Sequence, residues 1–514
     1  MTFGITNSYT TVTTMYYTNV FTNVNTFVNA AVSTGVRTFV YMGVYHKWDV
    51  GPLAFFIFIA RINKYMSGGI KGIFRMRPRI IGLMLACLCW VMPAYAELKV
   101  DIVAGAVEPV SIAVQKFEVG PRVRKADAAM LRDVVDADLK STGLFRIVDR
   151  NALPEYVQMG NMPDFQLWSA VRAQVLVQAK LTTEADDMYR LEFYVWDVAA
   201  AEQIEAQSLV ASKKSLRRLA HIMADAIYER LTGETGYFDT QIVFITETGP
   251  IGGRVKRMAI MDQDGYGMRY LSDKKTFVMS PHFSPNMRTV VFLSYRDDDP
   301  MIWTLDLDTG EQQRLGQFGG MNFSPRFSPD GTRIAMSIVK NGVTHIYEYN
   351  IESKKLRKLT SGGTINTSPS YSPDGTKIAY NSNRSGSQQI HVLDLETGQQ
   401  QRITYGAGRY ATPAWSPDGQ FIAFTKIAND TFYVGIMTPA GRNEKILAGG
   451  WFMEAPSWAP GSRRIVYYET EKDDDDVERH SHIRSVDIMG QNVYDIKLPD
   501  GVHGMEPAWS PRLP

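Results

Sequence analysis

The sequence predicts two folded units: an α/β N-terminal domain, followed by an all-β six-bladed β-propeller closed by the C-terminal strand. Three observations carry this. A Ser-Pro-containing motif recurs with a period near 44 residues through the second half. The repeat is out of phase at its two ends in a way that lets them complete each other. The stretch before it mixes apolar strands with helical apolar stripes instead of repeating.

The repeats read SPHFSPN (280–286), SPRFSPDGTRIAMS (324–337), SPSYSPDGTKIAYNS (368–382), TPAWSPDGQFIAFT (412–425), APSWAPGSRRIVYYE (455–469) and EPAWSP (506–511). Pro285, Pro329, Pro373, Pro417, Pro460 and Pro511 are spaced by 44, 44, 44, 43 and 51 residues. Such a period built from short strands is the signature of propeller blades, four strands each. In the unit from Pro369 to Thr404, Ser370-Tyr371 ends the first strand. Ser372-Pro373-Asp374-Gly375 then turns, because proline presets φ, aspartate bonds the local backbone and glycine accepts positive φ. Lys377 to Tyr380, Gln389 to Asp394 and Gln400 to Thr404 are the remaining strands, with a hairpin around Arg384-Ser385-Gly386. Alternation of period two marks strands packed between neighbouring sheets.

At the start, Gln241 to Ile245, Arg254 to Met261 and Met268 to Leu271 match the second, third and fourth strands of a blade. The absent first strand is Glu506 to Pro511, at the other end of the repeat. Pairing the two closes the ring and removes exposed sheet edges.

Residues 97–235 form the α/β domain, and the propeller occupies 236–514. Strands are expected at Leu98 to Val103, Val110 to Phe117, Phe145 to Val148, Val175 to Leu181, Leu191 to Val195 and Ile204 to Val210. Asp127 to Leu139 is helical in pattern. Ser215 caps a final helix, whose Leu219, Ile222, Met223, Ala226 and Ile227 form an apolar stripe. Gly233 is its C-cap.

The first ninety-six residues differ in kind. Residues 1–75 are a low-complexity extension, rich in Thr, Asn, Val and Tyr up to about residue 45 and expected to be absent from the mature protein. Residues 76–96 read as a signal peptide. Arg75, Arg77 and Arg79 supply positive charge, Ile80 to Met92 is apolar, and Ala94-Tyr95-Ala96 is a small-x-small cleavage site before Glu97. The apolar run is short of the roughly 20 residues a membrane-spanning helix needs. Cys87 and Cys89, the two cysteines, lie inside it, so cleavage leaves a chain without thiols, as suits an oxidising compartment. Of 55 basic and 54 acidic residues, 8 and 1 fall in 1–96, leaving 47 and 53, a net charge of −6. That balance argues against nucleic acid as a partner.

Chemical motifs are lacking. There is no G-x-S-x-G elbow, no H-E-x-x-H and no Gly-Lys dipeptide for a phosphate loop. Asp262-Gln263-Asp264-Gly265 resembles the start of a calcium loop but falls where a third-to-fourth strand hairpin belongs. Asp297 to Asp299 and Asp473 to Asp476 fall in hairpin tips, and His480-Ser481-His482 has no cysteine or carboxylate partners placed by the pattern. The expectation is therefore no catalytic residue, no metal and no cofactor, and a binding scaffold instead. The loops entering the first strands carry Met279, Met321-Asn322-Phe323, Asn366-Thr367, Arg409-Tyr410, Trp451 to Glu454 and Met505-Glu506. Methionine and aromatic side chains on such loops suit a partner surface.

Taken together, the sequence resembles the TolB family of the Tol-Pal envelope system of Gram-negative bacteria. The resemblance runs over 97–514. It rests on Glu97-Leu98-Lys99-Val100, Leu216 to His221, Glu229 to Gly233, Asp264-Gly265-Tyr266, the SPDG series and Pro507-Ala508-Trp509-Ser510-Pro511. It implies a periplasmic, non-enzymatic adaptor for outer-membrane integrity and for constriction during cell division, peripheral to the envelope. Its implied partners are the lipoprotein Pal and the inner-membrane protein TolA. The Pal-binding face would comprise Met321, Asn322, Phe323, Ser324, Asn366, Thr367, Ser368, Tyr410, Met453, Glu454 and Met505. Met321 stands where enteric relatives typically carry a histidine, and Ser368 where they carry an acid. TolA would take the stretch Glu97, Leu98, Lys99, Val100, Asp101, Ile102 and Val103, docked or free according to Pal binding. The alternatives are a propeller that gates a prolyl oligopeptidase-like hydrolase, for which no α/β-hydrolase domain is expected in this chain, and a small-ligand-binding propeller.

Overall fold

The computed structural model describes residues 108–250, 253–296, 299–472 and 479–513. The extension, the leader with its cleavage site at Ala96 and Glu97, the stretch Glu97 to Val103 and the acidic tip Asp473 to Asp476 lie outside these residues, as do Asp297 and Asp298.

The N-terminal region is a six-stranded sheet of order β3-β1-β4-β5-β6, with β2 beside β4. Its strands are β1 (Val110–Val114), β2 (Glu118–Val119), β3 (Phe145–Ile147), β4 (Val175–Ala185), β5 (Met188–Asp197) and β6 (Glu202–Ser212). β1 runs parallel to both β3 and β4, whereas β4, β5 and β6 form an antiparallel meander. Val175 to Ala179 of β4 are buried without alternation because both sheet faces are covered there. Helices α1 (Lys125–Ser141) and α3 (Leu216–Thr232) lie on one face, where Leu131, Val135 and Leu139 meet Leu219, Met223 and Ile227. The short helix α2 (Phe165–Ala170) buries Trp168 on the other face against Leu176 and Trp196.

Ser215 stands at the N-cap position of α3, but the expected side-chain cap does not form, because its hydroxyl faces Ser212 Oγ at 3.1 Å. Gly233 closes the helix at φ 74° with its N–H on Glu229 O.

The rest forms six four-stranded sheets. Five run in chain order: β10 (Phe277–Phe283) to β13 (Gln312–Arg314), β14 (Asn322–Phe327) to β17 (Leu356–Lys358), β18 (Asn366–Tyr371) to β21 (Gln400–Arg402), β22 (Arg409–Trp415) to β25 (Lys445–Gly450), and β26 (Phe452–Trp458) to β29 (Tyr494–Ile496). The sixth has the order β30-β7-β8-β9, joining β30 (His503–Trp509) to β7 (Gln241–Thr248), β8 (Val255–Asp262) and β9 (Arg269–Tyr270). Met505 pairs with Ile245 and Trp509 with Ile242, so the C-terminal strand closes the ring through the first blade.

The SPDG turns are held by one repeated set of bonds. Ser328 Oγ donates to Asp330 Oδ1 at 2.5 Å and accepts from Arg333 N at 3.0 Å, while Thr332 N donates to Asp330 Oδ1. Ser372 with Asp374 and Ser416 with Asp418 repeat the geometry. The Ser328 hydroxyl, first among several donors, holds the Asp330 carboxyl far below the usual range. These side chains are therefore consumed by the turn.

Candidate functional site: the loop face and the domain junction

Each blade's first strand contains a feature that alternation alone does not reveal. Ser280, Ser324, Ser368, Thr412, Ala455 and Glu506 all have positive φ, between 43° and 55°. Each directly precedes a proline: Pro281, Pro325, Pro369, Pro413, Pro456 and Pro507. At each one the register with the second strand slips, as between Phe323 and Arg326 or between Met505 and Ala508. A residue before proline is disfavoured in the right-handed helical region, and the left-handed region costs roughly 1 kcal/mol or more without glycine. The ring thus repeats one strained β-bulge six times, and a bulge re-aims the side chains beside it. Its signal in the sequence is the recurring X-Pro dipeptide, which by alternation alone belongs to a strand.

On the side of the bulges toward the SPDG turns, His282, Arg326, Ser370, Ala414 and Ser457 line an open pocket of about 210 Å³ together with Pro373 and Pro417 of those turns. Burial, partly offset by Glu506, lowers the Arg326 guanidinium to about 9. Burial likewise raises the Glu506 and Glu454 carboxyls, with Glu506 accepting from Ser280 N.

On the face beyond these bulges lie the loops that enter the first strands. They expose Phe277, Met321, Ile365, Tyr405 and Trp451, with Met321 47% and Trp451 38% exposed. Gly320 fixes the loop ahead of Met321: at φ 70° a Cβ would overlap the Val339 carbonyl oxygen, so only glycine lets the chain lie there. The Met321 carbonyl then accepts from Val339 N at 2.9 Å.

The eleven residues expected on this face separate into three groups. Met321 is exposed, while Phe323, Ser324, Thr367, Ser368, Glu454 and Met505 are half-buried along the inner wall. Asn322, Asn366, Tyr410 and Met453 are buried, which corrects the expectation that their side chains are presented to a partner. Asn366 Nδ2 donates to Thr344 O and Gly362 O, and its Oδ1 accepts from Arg384. Tyr410 donates to Glu444 at 2.8 Å, and Met453 packs with Trp458 and Tyr467. These four brace the loops from beneath. Phe277, Ile365 and Tyr405 are the exposed apolar positions that the sequence reading passed over; each lies one to a few residues before the residues it selected.

The opposite face is closed by the N-terminal domain. One apolar core runs from Leu131, Leu219 and Tyr228 through Tyr237 and Phe238 into Phe244, Val466, Ile483 and Trp509 of the ring. Polar groups flank it. Asp225 accepts from Phe238 N at 2.8 Å and Asp239 N at 3.0 Å, and Arg218 pairs with Asp239 at 3.1 Å. Arg464 Nη1 donates to Ser141 O, and Arg512 pairs with Glu229 at 2.6 Å. His221 meets Asp138 Oδ2 through Nδ1 at 2.7 Å, and Gln263 Nε2 donates to Asp138 Oδ1 at 3.0 Å. Burial alone would depress the His221 imidazole, but the Asp138 carboxylate overrides it and lifts it to about 9. Arg217 contacts Asp264 and stacks on Tyr266. The Asp262-to-Gly265 segment is the expected hairpin, with Gly265 N on Asp262 O.

Two family profiles cover this architecture: the TolB amino-terminal domain matches residues 98–204, and the TolB beta propeller domain matches residues 228–513. The chain belongs to the TolB family. It is 42% identical over 234 residues to the Tol-Pal system protein TolB of Paramagnetospirillum magneticum. That alignment spans 45% of this chain and 52% of the relative, so it reaches only about half the relative's length. The fold is also that of the crystal structure of TolB from Acinetobacter baumannii. The TM-score is 0.70 at 24% identity, over 79% of this chain and 97% of that one. Among the described residues no helix is long and apolar enough to cross a membrane.

Proposed function

We propose that this chain is a periplasmic, non-enzymatic adaptor of the Tol-Pal system that takes the lipoprotein Pal on its loop face. The exposed set Phe277, Met321, Ile365, Tyr405 and Trp451 carries the reading, because it lies on the side that the N-terminal domain leaves uncovered. Apolar and aromatic anchors with a polar surround are the composition of binding hot spots. The half-buried inner wall from Phe323 to Met505 would receive whatever side chain enters the mouth of the ring. Membership in the TolB family and the 42% identity to a Tol-Pal system protein support the choice of system. TolA would take the stretch Glu97 to Val103, and Pal on the loop face would bias whether that stretch is docked or free. In this role the protein helps keep the outer membrane attached and constricting during division.

The test is calorimetric titration of Pal into the purified protein and into Met321→Asp and Trp451→Asp. Loss of one anchor is expected to weaken binding by at least about tenfold, since a hot-spot truncation costs about 2 kcal/mol. Native affinity in both variants would place the partner elsewhere.

A further inference from the structure

The junction between the two domains brings together residues that the adaptor role does not use. A ring nitrogen of His221 and one carboxylate oxygen each of Asp262 and Asp264 lie within 4.8 Å of one another. The imidazole belongs to α3 and the two carboxylates to the hairpin between β8 and β9, so folding alone unites them.

Two details make this more than an acidic cluster. His221 is 3% exposed, and its Nε2 is buried without any hydrogen-bond partner. An unsatisfied polar atom at that depth costs about 1–3 kcal/mol, and the imidazole that carries it has two carboxylates nearby. The other ring nitrogen is fixed from behind: Asp138 Oδ2 holds Nδ1 at 2.7 Å, and Gln263 Nε2 holds Asp138 Oδ1 at 3.0 Å. A carboxylate behind one imidazole nitrogen, leaving the other bare, is the arrangement that orients metal-bound histidines.

We propose that His221 Nε2, Asp262 and Asp264 bind one divalent transition-metal ion of the Zn²⁺ type, with Asp138 positioning the imidazole. One imidazole and two carboxylates form a donor set suited to such an ion; the entering ion displaces the Nε2 proton of the imidazolium to solvent, and water completes the coordination. Bonds of about 2.0–2.2 Å call for a contraction of the cluster by about an ångström. Arg217 is the built-in competitor. Its guanidinium rests on Asp264 and on the Tyr266 ring, and its buried Nε has no hydrogen-bond partner, with Asp262 Oδ2 at 3.9 Å. In the ion-free protein it neutralises the carboxylates, and it leaves them when the ion enters. Because the ligands come from both domains, the bound ion ties α3 to the first blade.

The test uses untagged, chelator-treated protein titrated with Zn²⁺ by calorimetry, with melting curves recorded alongside. One ion per chain and a raised melting temperature are expected. Asp264→Asn is expected to weaken uptake by at least about tenfold and Asp138→Asn by roughly 10–100-fold. Arg217→Ala moves the other way and binds Zn²⁺ more tightly, which a damaged fold would not produce. Absence of 1:1 uptake overturns the proposal, as does equal uptake by Asp264→Asn or unchanged uptake by Arg217→Ala. Melting curves without the ion identify any variant that fails to fold, and Arg217→Ala then decides. Loss of Pal binding on the loop face would leave these outcomes unaffected.

Discussion

The two faces of the ring solve opposite problems with similar residue types. On the face toward the N-terminal domain, Phe244, Val466 and Trp509 share a core with Leu219 and Tyr228, and charged groups beside it are paired across the junction. On the other face, Phe277, Met321 and Trp451 are held out toward solvent by the loops that precede the first strands. Apolar area on the first face is already buried within the chain, so it contributes to folding. The area on the second face remains available for association. Stability and binding are therefore expected to respond to different mutations.

The largest effect should come from truncation at Gly501. It removes β30, leaves β7 with an open edge and deletes Trp509 from the shared core. Loss of the cooperative melting transition is expected by circular dichroism, and an unchanged melting temperature would refute closure as a source of stability. Next is Trp509→Ala. Its ring packs edge-on against Tyr237 with centroids 5.9 Å apart, and its Nε1 donates to Thr240 Oγ1 at 2.8 Å. About 3–5 kcal/mol should be lost in denaturant unfolding.

A smaller, pH-dependent effect belongs to Asp225. Burial pushes its carboxyl up to about 6, against the pull of the Phe238 and Asp239 amides and of Arg512. A folded-state value above the unfolded one means that its contribution is present below the unfolded value near 3.8 and is lost as pH rises through about 6. The stability of the native protein relative to Asp225→Asn should fall by roughly 2 kcal/mol between these limits. A constant difference across that range would contradict it. The smallest stability effect is expected for Met321→Asp and Trp451→Asp, within about 0.5 kcal/mol as at other exposed positions, although the proposed role expects both to weaken Pal binding. If either lowers the melting point as far as Trp509→Ala does, the contrast between the faces fails.

Much of the ring was legible because its cause is local. Serine, proline, aspartate and glycine make the same turn wherever they recur, so the period near 44 and the phase of its ends gave blade number and closure. Helix α3 shows where this kind of reading stops. Its apolar stripe from Leu219 to Ile227 was readable from spacing. A second face carries His221 and Asp225, polar residues outside that stripe, which are buried against the ring. Likewise Asn322 and Asn366, polar residues by composition, lie inside because they satisfy the Gly320 and Gly362 carbonyls of the loops above them.

By itself, then, the sequence determined the fold class, the blade count and the strand that closes the ring, since turn chemistry and side-chain alternation act over a few residues. Tertiary structure alone decided which loop residues face solvent and that every first strand bulges before its proline. It also decided that His221 meets Asp138, 83 residues away in the chain, and the Asp262–Asp264 hairpin. Those outcomes depend on what ring closure and domain docking bring within a few ångströms, which no local pattern encodes.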